Sequence, residues 1–320
     1  MIIAVDGGTT NTRLTLVNDG RVVDRIKCRV GVRDALRSGR GTLTEAVRDG
    51  IGRLLERNKL TVQDIRLAAF SGMIGSENGL AAIEHITAPA GIDELRRGSV
   101  KIQLPGIADL PFIFIPGVKT FTDPLEKPLG ELDIMRGEET ELMGILSSLN
   151  ISEPLTVLLP GSHMKIVDID ASGRITAFRT SLSGELIRAA AENTILSQSL
   201  GDVYPTHADE NYLRQGYEYA ERRGINEALF KIRVQANFIK KADAAQLYAF
   251  LMGAILRDDV RSVLDSGAET IVVGGSDPFR SALAELIGES AGRLIVLSDE
   301  SAEQASAIGA ELICRDLTLE

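Results

Sequence analysis

The first twelve residues, MIIAVDGGTTNT, place a carboxylate and several small polar residues directly after a short apolar run. An ordinary turn explains this pattern, and the stretch taken alone favours one, because Asp and Gly end many strands. The alternative is a phosphate site, in which the backbone from Gly7 to Thr10 wraps around an anion. Gly7 and Gly8 would let the anion approach closely, and Thr9 and Thr10 would add hydroxyl donors. Asp6 would then face Mg²⁺, usually through water, because this ion dehydrates reluctantly.

Two later glycine turns have similar chemistry. In LLPGSHMK at 158–165, the amides after Gly161 and Ser162 could form a second anion cradle, and Lys165 supplies a positive charge. A single turn histidine such as His163 is more often structural than catalytic. In VVGGSDPFRSAL at 272–283, the glycines suit close approach of a flat ring or a sugar; tight strand–helix packing explains them equally well.

An acidic helix start occurs in DIMRGEETELMG at 133–144. Acidic residues in the first turn of a helix ordinarily complement the helix dipole. The functional alternative is a general base that accepts a proton from a substrate hydroxyl. Glu138 and Glu139 are consecutive and point in different directions, so at most one should face a binding site. No GxxxxGK phosphate loop occurs, so a nucleotide would need another scaffold.

The elements around these motifs follow one plan twice. IIAV, RLTLVNDG and RVVDRIKC predict three antiparallel strands, with a hairpin at 18–20. LTVLL, MKIVDID and RITAFRT repeat the order from residue 155, and Gly173-Arg174 matches Gly20-Arg21. The repeat predicts a duplicated fold whose two glycine turns face each other across a cleft, a favoured place for ligands.

Helical patterns fill much of the remaining chain. Apolar residues recur at helical spacing around 42–58, and a mostly helical region follows the second set of strands. Strand–turn–helix patterning returns at ETIVVGGSDPFRSALAELIG, followed by the strand RLIVL and a final helix, SAEQASAIGAELI. The sequence therefore predicts an α/β protein.

Composition narrows the functional classes. The 320 residues carry a net charge of −10, which disfavours nucleic-acid binding because phosphate backbones reward a basic face. Cys28 and Cys314 match no metal-ligand spacing and are expected to be free thiols in a reducing compartment. No signal segment or bilayer-length apolar stretch is apparent, so we expect a cytoplasmic protein with no membrane partner.

The order of the motifs resembles the sugar-kinase, Hsp70 and actin superfamily. DGGTT at 6–10 and LPGSHMK at 159–165 resemble its two phosphate motifs, and VVGGSDPF at 272–279 resembles its adenosine motif. The helices at RGEE and around Ala307–Ala310 look like its two connecting helices. The resemblance implies two duplicated ribonuclease H-like domains, as in actin-like ATPases, with an interdomain cleft.

Within that superfamily the chain is most similar to the 2-dehydro-3-deoxygalactonokinases. The stretches that carry this resemblance are SGMIGSENG at 71–79, MRGEET at 135–140, LPGSHMK, RTSLSGEL at 179–186 and AFLMGAIL at 249–256. The family implies an enzyme that transfers the γ-phosphate of ATP, with Mg²⁺, to the terminal 6-hydroxyl of 2-dehydro-3-deoxygalactonate in galactonate catabolism.

The resemblance also implies roles for particular residues. Glu138 is the expected base, with Glu139 and Asp133 as alternatives, and Asp6 anchors Mg²⁺. The substrate candidates are Ser71, Gly72, Met73 and Arg136. The residues expected to hold ATP and its phosphates are Asp6, Gly7, Gly8, Thr9, Thr10, Gly161, Ser162, His163, Lys165, Gly274, Gly275 and Ser276.

Domain boundaries and rival functions complete the expectations. The N-terminal domain is expected at 1–147 with the helix 303–320 packed back on it, and the C-terminal domain at 148–302 with a helical insertion at about 181–265. A homodimer is a generic expectation. The alternatives are a 2-dehydro-3-deoxygluconate kinase, a polyphosphate or nucleotide phosphohydrolase of the same superfamily, and a non-enzymatic actin-like nucleotide switch.

Overall fold

A computed structural model describes residues 1–149 and 151–318. The chain divides into two compact units, which are described separately below. The first unit consists of Met1–Glu153, Asp170–Ala177 and Glu303–Glu320, and the second of Pro154–Ile169 and Phe178–Ala302.

The first unit begins with nine strands and four helices. The strands are β1 (Ile2–Gly7), β2 (Thr12–Asn18), β3 (Arg21–Cys28), β4 (Leu67–Gly72), β5 (Ile86–Thr87), β6 (Val100–Ile102), β7 (Phe112–Phe114), β8 (Val118–Lys119) and β9 (Ile134–Met135). The helices are α1 (Val32–Ser38), α2 (Arg40–Asn58), α3 (Ile92–Gly98) and α4 (Glu138–Ser148), with 3₁₀ turns at Val62–Asp64, Met73–Gly75 and Leu129–Glu131.

The main sheet of this unit has the order β3-β2-β1-β4-β7-β6. The first three strands are antiparallel neighbours, which confirms the sequence prediction, and β4 and β7 continue parallel to β1. The strands β5 to β9 were not predicted; they are two or three residues long, too short for a period of two to show. Three of them, β5, β8 and β9, form a separate small sheet.

The core of the first unit lies between this sheet and α2. Leu43, Val47, Ile51 and Leu54 lie on one face of α2 and are buried, as the helical spacing predicts. The sheet contributes Phe70, whose ring stacks on Phe114 with centroids 4.7 Å apart. This apolar layer fixes β1 and β4 side by side.

Within the described residues, the second unit contains four complete strands, the second part of a fifth and six helices. The strands are β10 (Leu155–Leu159), β11 (Met164–Ile169), β12 (Ile175–Ser181), β13 (Thr270–Val273) and β14 (Arg293–Val296). The helices are α5 (Ser183–Asn193), α6 (Ser197–Leu200), α7 (Glu210–Arg223), α8 (Ile225–Val234), α9 (Ala244–Leu264) and α10 (Phe279–Ile287), with a π-helical turn at Gln235–Ile239 and a 3₁₀ turn at Gly288–Ser290. A last helix, α11 (Asp299–Cys314), begins in this unit and ends in the first.

The second sheet has the order β12-β11-β10-β13-β14. Strands β10 and β11 are antiparallel, and β13 and β14 run parallel to β10. This is the order that β3, β2, β1, β4 and β7 have in the first unit. Between β12 and β13 the helices α5 to α9 fill the region where a helical insertion was expected, and α9 is buried along most of its length.

Besides 1–147 and 303–320, the first unit contains two further segments. Residues 148–153 belong to the first unit, and so does the hairpin Asp170–Ala177. The hairpin belongs there because Ile175 and Ala90 exchange two backbone hydrogen bonds, of 3.0 and 2.8 Å. No helix within the described residues is long and apolar enough to cross a membrane. Both cysteines are free thiols.

Helices α4 and α11 pack with almost no space between their backbones. A Cβ at Gly144 would overlap the carbonyl oxygen of Ala305, and one at Gly309 would overlap that of Thr140. The absence of side chains at Gly144 and Gly309 therefore permits this close approach. By contrast, a Cβ at Gly52, within α2, would meet nothing within 4 Å.

Alanine substitutions at two helical glycines should therefore have opposite effects. We expect Gly309→Ala to lower the free energy of unfolding by about 1–3 kcal/mol through overpacking. Gly52→Ala, the matched control, should raise it by about 0.5–1 kcal/mol because alanine is the better helix former. Urea unfolding of both variants measures this, and equal stability changes would contradict the packing argument.

Candidate active site

Asp6 lies at the carboxyl end of β1, between residues of two neighbouring strands. It is opposite Arg13 in β2 and beside Ser71 in the parallel strand β4. Nη1 of Arg13 donates to Oδ2 of Asp6 at 2.9 Å. Burial raises the pKa of Asp6, and the Arg13 charge acts against that rise. Asp6 is therefore a partly buried carboxylate with a cation beside it.

The turn after Asp6 is held by the chain that enters α1. The amides of Val32 and Arg33 donate to the carbonyl oxygens of Gly8 and Thr9, at 3.1 and 3.0 Å. Thr9 and Thr10 are exposed. The turn is thus anchored through its carbonyl groups, while two hydroxyl-bearing residues remain at the surface.

Glycines bring the end of β4 and the start of α4 close to Asp6. Gly72 has a φ of +81°, and a Cβ there would lie 2.8 Å from the carbonyl oxygen of Gly7 and 3.1 Å from Oδ1 of Asp6. Gly137 precedes α4, and a Cβ at that residue would lie 3.0 Å from Cα of Gly72. The start of α4 therefore lies against the same strand end as Asp6.

Glu139 is the fully buried acid of α4. Its two carboxylate oxygens accept hydrogen bonds of 2.9 and 2.7 Å from the amide of Gly137. Burial, together with the charge of Glu138, raises the pKa of Glu139 to about 8. The side chain is folded back on the start of its own helix.

Glu138 and Glu141 lie three residues apart and therefore on one face of α4. Glu138 is half-buried, and one of its oxygens accepts from the amide of Arg136 at 3.1 Å. Burial raises the pKa of Glu141 to about 8, and the charges of Glu138 and Asp6 add to that rise. Glu141 thus belongs with Glu138 and Asp6, although the sequence analysis did not single it out. Its spacing from Glu138 was the available signal.

Arg13 is the second residue of this site that the sequence analysis did not single out. It lies in β2, and its side chain keeps 58% of its exposure while one nitrogen contacts Asp6. Among the described residues no group of three or more Asp, Glu, His or Cys has the arrangement of a metal site.

The four substrate candidates lie close to the same strand end or to the start of α4. Ser71 is 2% exposed and Gly72 is buried, whereas Met73 is half-buried. Nη2 of Arg136 donates to the carbonyl oxygen of Ile83 at 2.6 Å and lies 3.2 Å from Nδ1 of His85. Burial lowers the pKa of Arg136.

One nitrogen of Arg136 has no hydrogen-bond partner. Within residues 1–149 and 151–318, its Nη1 is among the few buried side-chain polar atoms in that condition. Asp133, the remaining acidic candidate, lies just before β9 in the small sheet, where its carboxylate accepts from the amide of Ile134 at 2.7 Å.

In the second unit, the turn between β10 and β11 carries Gly161, Ser162 and His163, all exposed. The start of α5 packs directly on this turn, since a Cβ at Gly184 would overlap the carbonyl oxygen of Gly161. The amide of Glu185 donates to the carbonyl oxygen of Ser162 at 3.0 Å. The turn is fixed by α5 rather than by its own side chains.

His163 in this turn and Lys165 in the following strand both have polar contacts. Nε2 of His163 lies 3.4 Å from the carboxylate of Glu185. Lys165 is only 5% exposed, and its Nζ donates to Oγ1 of Thr180 at 2.6 Å and lies 6.0 Å from the centre of the Phe178 ring. Lys165 therefore points along the sheet toward β12.

The glycines of the third motif lie beside the second turn. The amide of Gly274 donates to the carbonyl oxygen of Leu158 at 2.9 Å, and a Cβ at Gly275 would lie 2.6 Å from Cγ of Pro160. Ser276 is exposed. The residues 274–276 and 160–163 thus follow the carboxyl ends of the neighbouring parallel strands β13 and β10, the edge at which α/β sheets bind ligands.

The start of α10 is fixed by charge. Nη2 of Arg280 lies 2.9 Å from Asp277 and 2.6 Å from Asp299, and the amide of Ser281 donates to Asp277 at 3.0 Å. These contacts hold the turn at 274–276 in place without using its exposed atoms.

Comparisons with known proteins identify relatives of the chain. A family model described as 2-keto-3-deoxy-galactonokinase matches residues 6–309. The probable 2-dehydro-3-deoxygalactonokinase DgoK1 of Rhizobium meliloti (strain 1021) is 30% identical over 201 residues, which cover 62% of this chain and 59% of that relative.

Solved structures show the same fold. A putative 2-dehydro-3-deoxygalactonokinase from Sinorhizobium meliloti superposes with a TM-score of 0.78, at 22% identity and 98% coverage of both chains. The activator of 2-hydroxyisocaproyl-CoA dehydratase from Clostridium difficile, solved with bound ADPNP, gives a TM-score of 0.52 at 12% identity, with 97% of this chain and 92% of that one covered. These likenesses establish a shared mixed α/β fold.

The three glycine turns and the acidic start of α4 were found in the sequence before any comparison. All four features lie within the matched residues, in the order in which the sequence analysis found them. The chain belongs to the 2-keto-3-deoxy-galactonokinase family.

Proposed function

We propose that the protein is a sugar-acid kinase that transfers the γ-phosphate of ATP to the 6-hydroxyl of 2-dehydro-3-deoxygalactonate. The family match over residues 6–309 is the observation that carries this proposal. The geometry adds to it, because Asp6, the end of β4 and the acidic start of α4 lie together in the first unit. Phosphoryl transfer requires such positioning and charge neutralisation more than covalent chemistry.

The residues around Asp6 fit Mg²⁺ bound to a nucleotide. Mg²⁺ usually takes one or two carboxylates and substrate phosphates and keeps several waters, and Asp6 supplies one carboxylate. When bound, Mg²⁺ would neutralise charge on the phosphate oxygens. Arg13 contacts the Asp6 carboxylate at 2.9 Å, and its side chain remains 58% exposed.

Glu138 is the side chain we propose as general base. Glu139 is fully buried, with both oxygens on the amide of Gly137, so a substrate would reach it less readily than Glu138. Glu138 is half-buried beside the strand end that carries Gly72, and an ionised carboxylate there could accept the hydroxyl proton. Asp133 and Glu139 remain the alternatives, and Glu141 joins them because it shares the face of Glu138.

The sugar acid would bind near the end of β4. Gly72 and Met73 are proposed to border it through backbone atoms, since Ser71 is buried within the strand. The unpartnered nitrogen of Arg136 supports a role for this cation toward the substrate carboxylate, and an ion pair there would satisfy a donor that the protein leaves unpaired.

The second unit would hold the rest of the nucleotide. We propose that the exposed amides and hydroxyl of Gly161, Ser162 and His163 contact phosphates, and that Gly274, Gly275 and Ser276 border the adenosine. The adjacency of the two turns supports this assignment. Lys165 is buried beside Thr180, so we propose that it attracts the phosphates through its positive charge without touching them.

The two units are proposed to be duplicated ribonuclease H-like domains of the actin-like ATPase type. The shared strand order of the two sheets supports the duplication. The N-terminal domain would correspond to 1–147 with 303–320 and carry the sugar acid, and the C-terminal domain to 148–302. Homodimer formation remains a proposal that sedimentation measurements can test.

The substrate assignment predicts ADP formation that depends on the sugar acid. With MgATP, 2-dehydro-3-deoxygalactonate should raise ADP release at least about a hundredfold over the rate without acceptor, and the product should carry phosphate on the 6-hydroxyl by ³¹P NMR. A coupled ADP assay measures this, with 2-dehydro-3-deoxygluconate as the matched acceptor.

The other outcomes of this assay identify the rival functions. Equal or faster turnover of the gluconate-derived acid would replace the proposed substrate by its stereoisomer. Phosphate release that no sugar acid accelerates would indicate a phosphohydrolase. Assembly that requires ATP, without turnover, would indicate a nucleotide switch.

The base assignment predicts a selective loss of turnover. Glu138→Gln should lower kcat by at least about a hundredfold, because general-base catalysis contributes about that much or more, while KM for MgATP changes little. Glu139→Gln, Glu141→Gln and Asp133→Asn are assayed beside it, and Glu45→Gln on the exposed face of α2 serves as control. A larger loss in one of the other three variants would move the base to that residue.

The burial of Glu139 predicts that the free energy of unfolding depends on pH. The pKa of Glu139 rises from its ordinary value of 4.5 to about 8 in the folded protein, so the folded state binds this proton more tightly than the unfolded state. The resulting stability is complete below pH 4.5 and is lost as the pH rises to about 8.

Glu139→Gln should remove that dependence. Between pH 5 and pH 8 we expect wild type to lose more than about 1 kcal/mol of unfolding free energy relative to the variant, since one pKa unit corresponds to about 1.4 kcal/mol. Urea unfolding at several pH values measures the difference, with Glu45→Gln as control. Parallel pH profiles for wild type and Glu139→Gln would show that the acid is not perturbed.

A further inference from the structure

A buried carboxylate in the second unit lies outside all the motifs discussed so far. Asp259 is in the second half of α9 and is only 2% exposed. Ser181 donates to its Oδ1 at 2.6 Å, and Ser183 donates to its Oδ2. The two serine hydroxyls are also 2.8 Å from each other. Each oxygen of Asp259 therefore accepts a hydrogen bond from a different serine, and the three side chains form one cluster, called the Asp259 triangle below.

The two serines flank the point at which the chain leaves the sheet and enters α5. Ser181 is the last residue of β12, and Ser183 is the first residue of α5. Asp259 is 76 residues further along the chain than Ser183. Its two hydrogen bonds therefore fix the direction in which α5 leaves the sheet, and they tie that direction to the long buried helix α9.

The start of α5 in turn shapes the turn at 161–163. Gly184 leaves no room for a Cβ against the carbonyl oxygen of Gly161, and the amide of Glu185 donates to the carbonyl oxygen of Ser162 at 3.0 Å. The carboxylate of Glu185 also lies 3.4 Å from His163. Each of the three turn residues thus contacts residue 184 or 185, directly after the serine that Asp259 holds.

We infer that Asp259 is a positioning residue for nucleotide phosphate binding, acting through Ser181, Ser183 and the start of α5 on the turn at 161–163. The inference rests on the proposed function, which assigns that turn to the phosphates. Asp259 is too deeply buried to touch a substrate. Its role is to set the backbone geometry of residues that are exposed enough to do so.

The chemistry of the Asp259 triangle indicates that it positions α5 rather than adding to the overall stability of the fold. Burying a carboxylate costs free energy that well-packed apolar side chains would not incur, and hydrogen bonds repay it only when their geometry is good. A charged acceptor gives stronger and more directional bonds to hydroxyls than a neutral one. The arrangement therefore constrains where Ser183 lies, and a small shift of α5 would displace the turn.

Binding of the non-hydrolysable nucleotide AMPPNP with Mg²⁺ tests this inference. Isothermal titration calorimetry on the full chain should show a Kd at least about tenfold higher in Asp259→Ala than in wild type. In steady-state assays, KM for MgATP should rise similarly, whereas KM for the sugar acid should stay within about twofold. Asp259→Asn should have a smaller effect, because its single amide oxygen can still accept from one serine.

Two matched controls separate positioning from stability. Asp258→Asn makes the same change at the exposed neighbouring residue and should leave Kd unchanged. Val260→Ala removes two methyl groups from a fully buried residue of the same helix, so it should lower Tm without raising Kd. Should Asp259→Ala fail to fold, Asp259→Asn and Ser183→Ala decide, each with an expected increase in Kd of severalfold.

Nucleotide binding by the wild type separates a failure of the proposed function from a failure of the positioning role of Asp259. Wild type that does not bind Mg²⁺–AMPPNP would overturn the proposed function. Wild type that binds it, with Asp259 and Ser183 variants that bind equally well, would overturn the positioning role alone. So would a KM for the sugar acid that rises in parallel with the KM for MgATP.

Discussion

The parallel pairing of β1 with β4 is the constraint on which the candidate site of the first unit depends. It places Asp6 beside Ser71 and Gly7 beside Gly72, so that two strands end at the same level. The strand end can then accept the start of α4 only because Gly72 and Gly137 lack side chains. Backbone packing, rather than contacts between side chains, therefore brings the carboxylate of β1 close to the acids of α4.

The second unit has the same parallel pairing of two strands, but different residues follow the strand ends. Strands β10 and β13 are again parallel neighbours, and the turns that follow them meet at Pro160 and Gly275. Here the first strand ends without a carboxylate, and the exposed residues of the two turns are Gly161, Ser162, His163 and Ser276. One sheet order thus places an acidic cluster at the strand ends of one unit and small polar turns at those of the other.

The sequence was informative where a pattern is local. Strands β1 to β3 follow from apolar stretches separated by glycine-bearing turns, the apolar face of α2 follows from helical spacing, and the glycine turns are recognisable as short motifs. The strands β5 to β9 were missed because two or three residues carry no period. Glu141 and Arg13 were missed for another reason, since their importance arises from neighbours in space. Asp259 is the extreme case, because its partners are 76 and 78 residues away.

The acidic cluster explains why a protein with a net charge of −10 can still be expected to bind anions. Burial raises the pKa of Glu141 to about 8, the charges of Glu138 and Asp6 add to that rise, and Arg13 offsets only part of it. Such a site repels a bare phosphate and favours one that arrives with a divalent cation. Under the proposed function, this repulsion would favour nucleotide phosphates that reach the first unit together with their metal ion. The neutral donors of the second unit would bind the phosphates themselves.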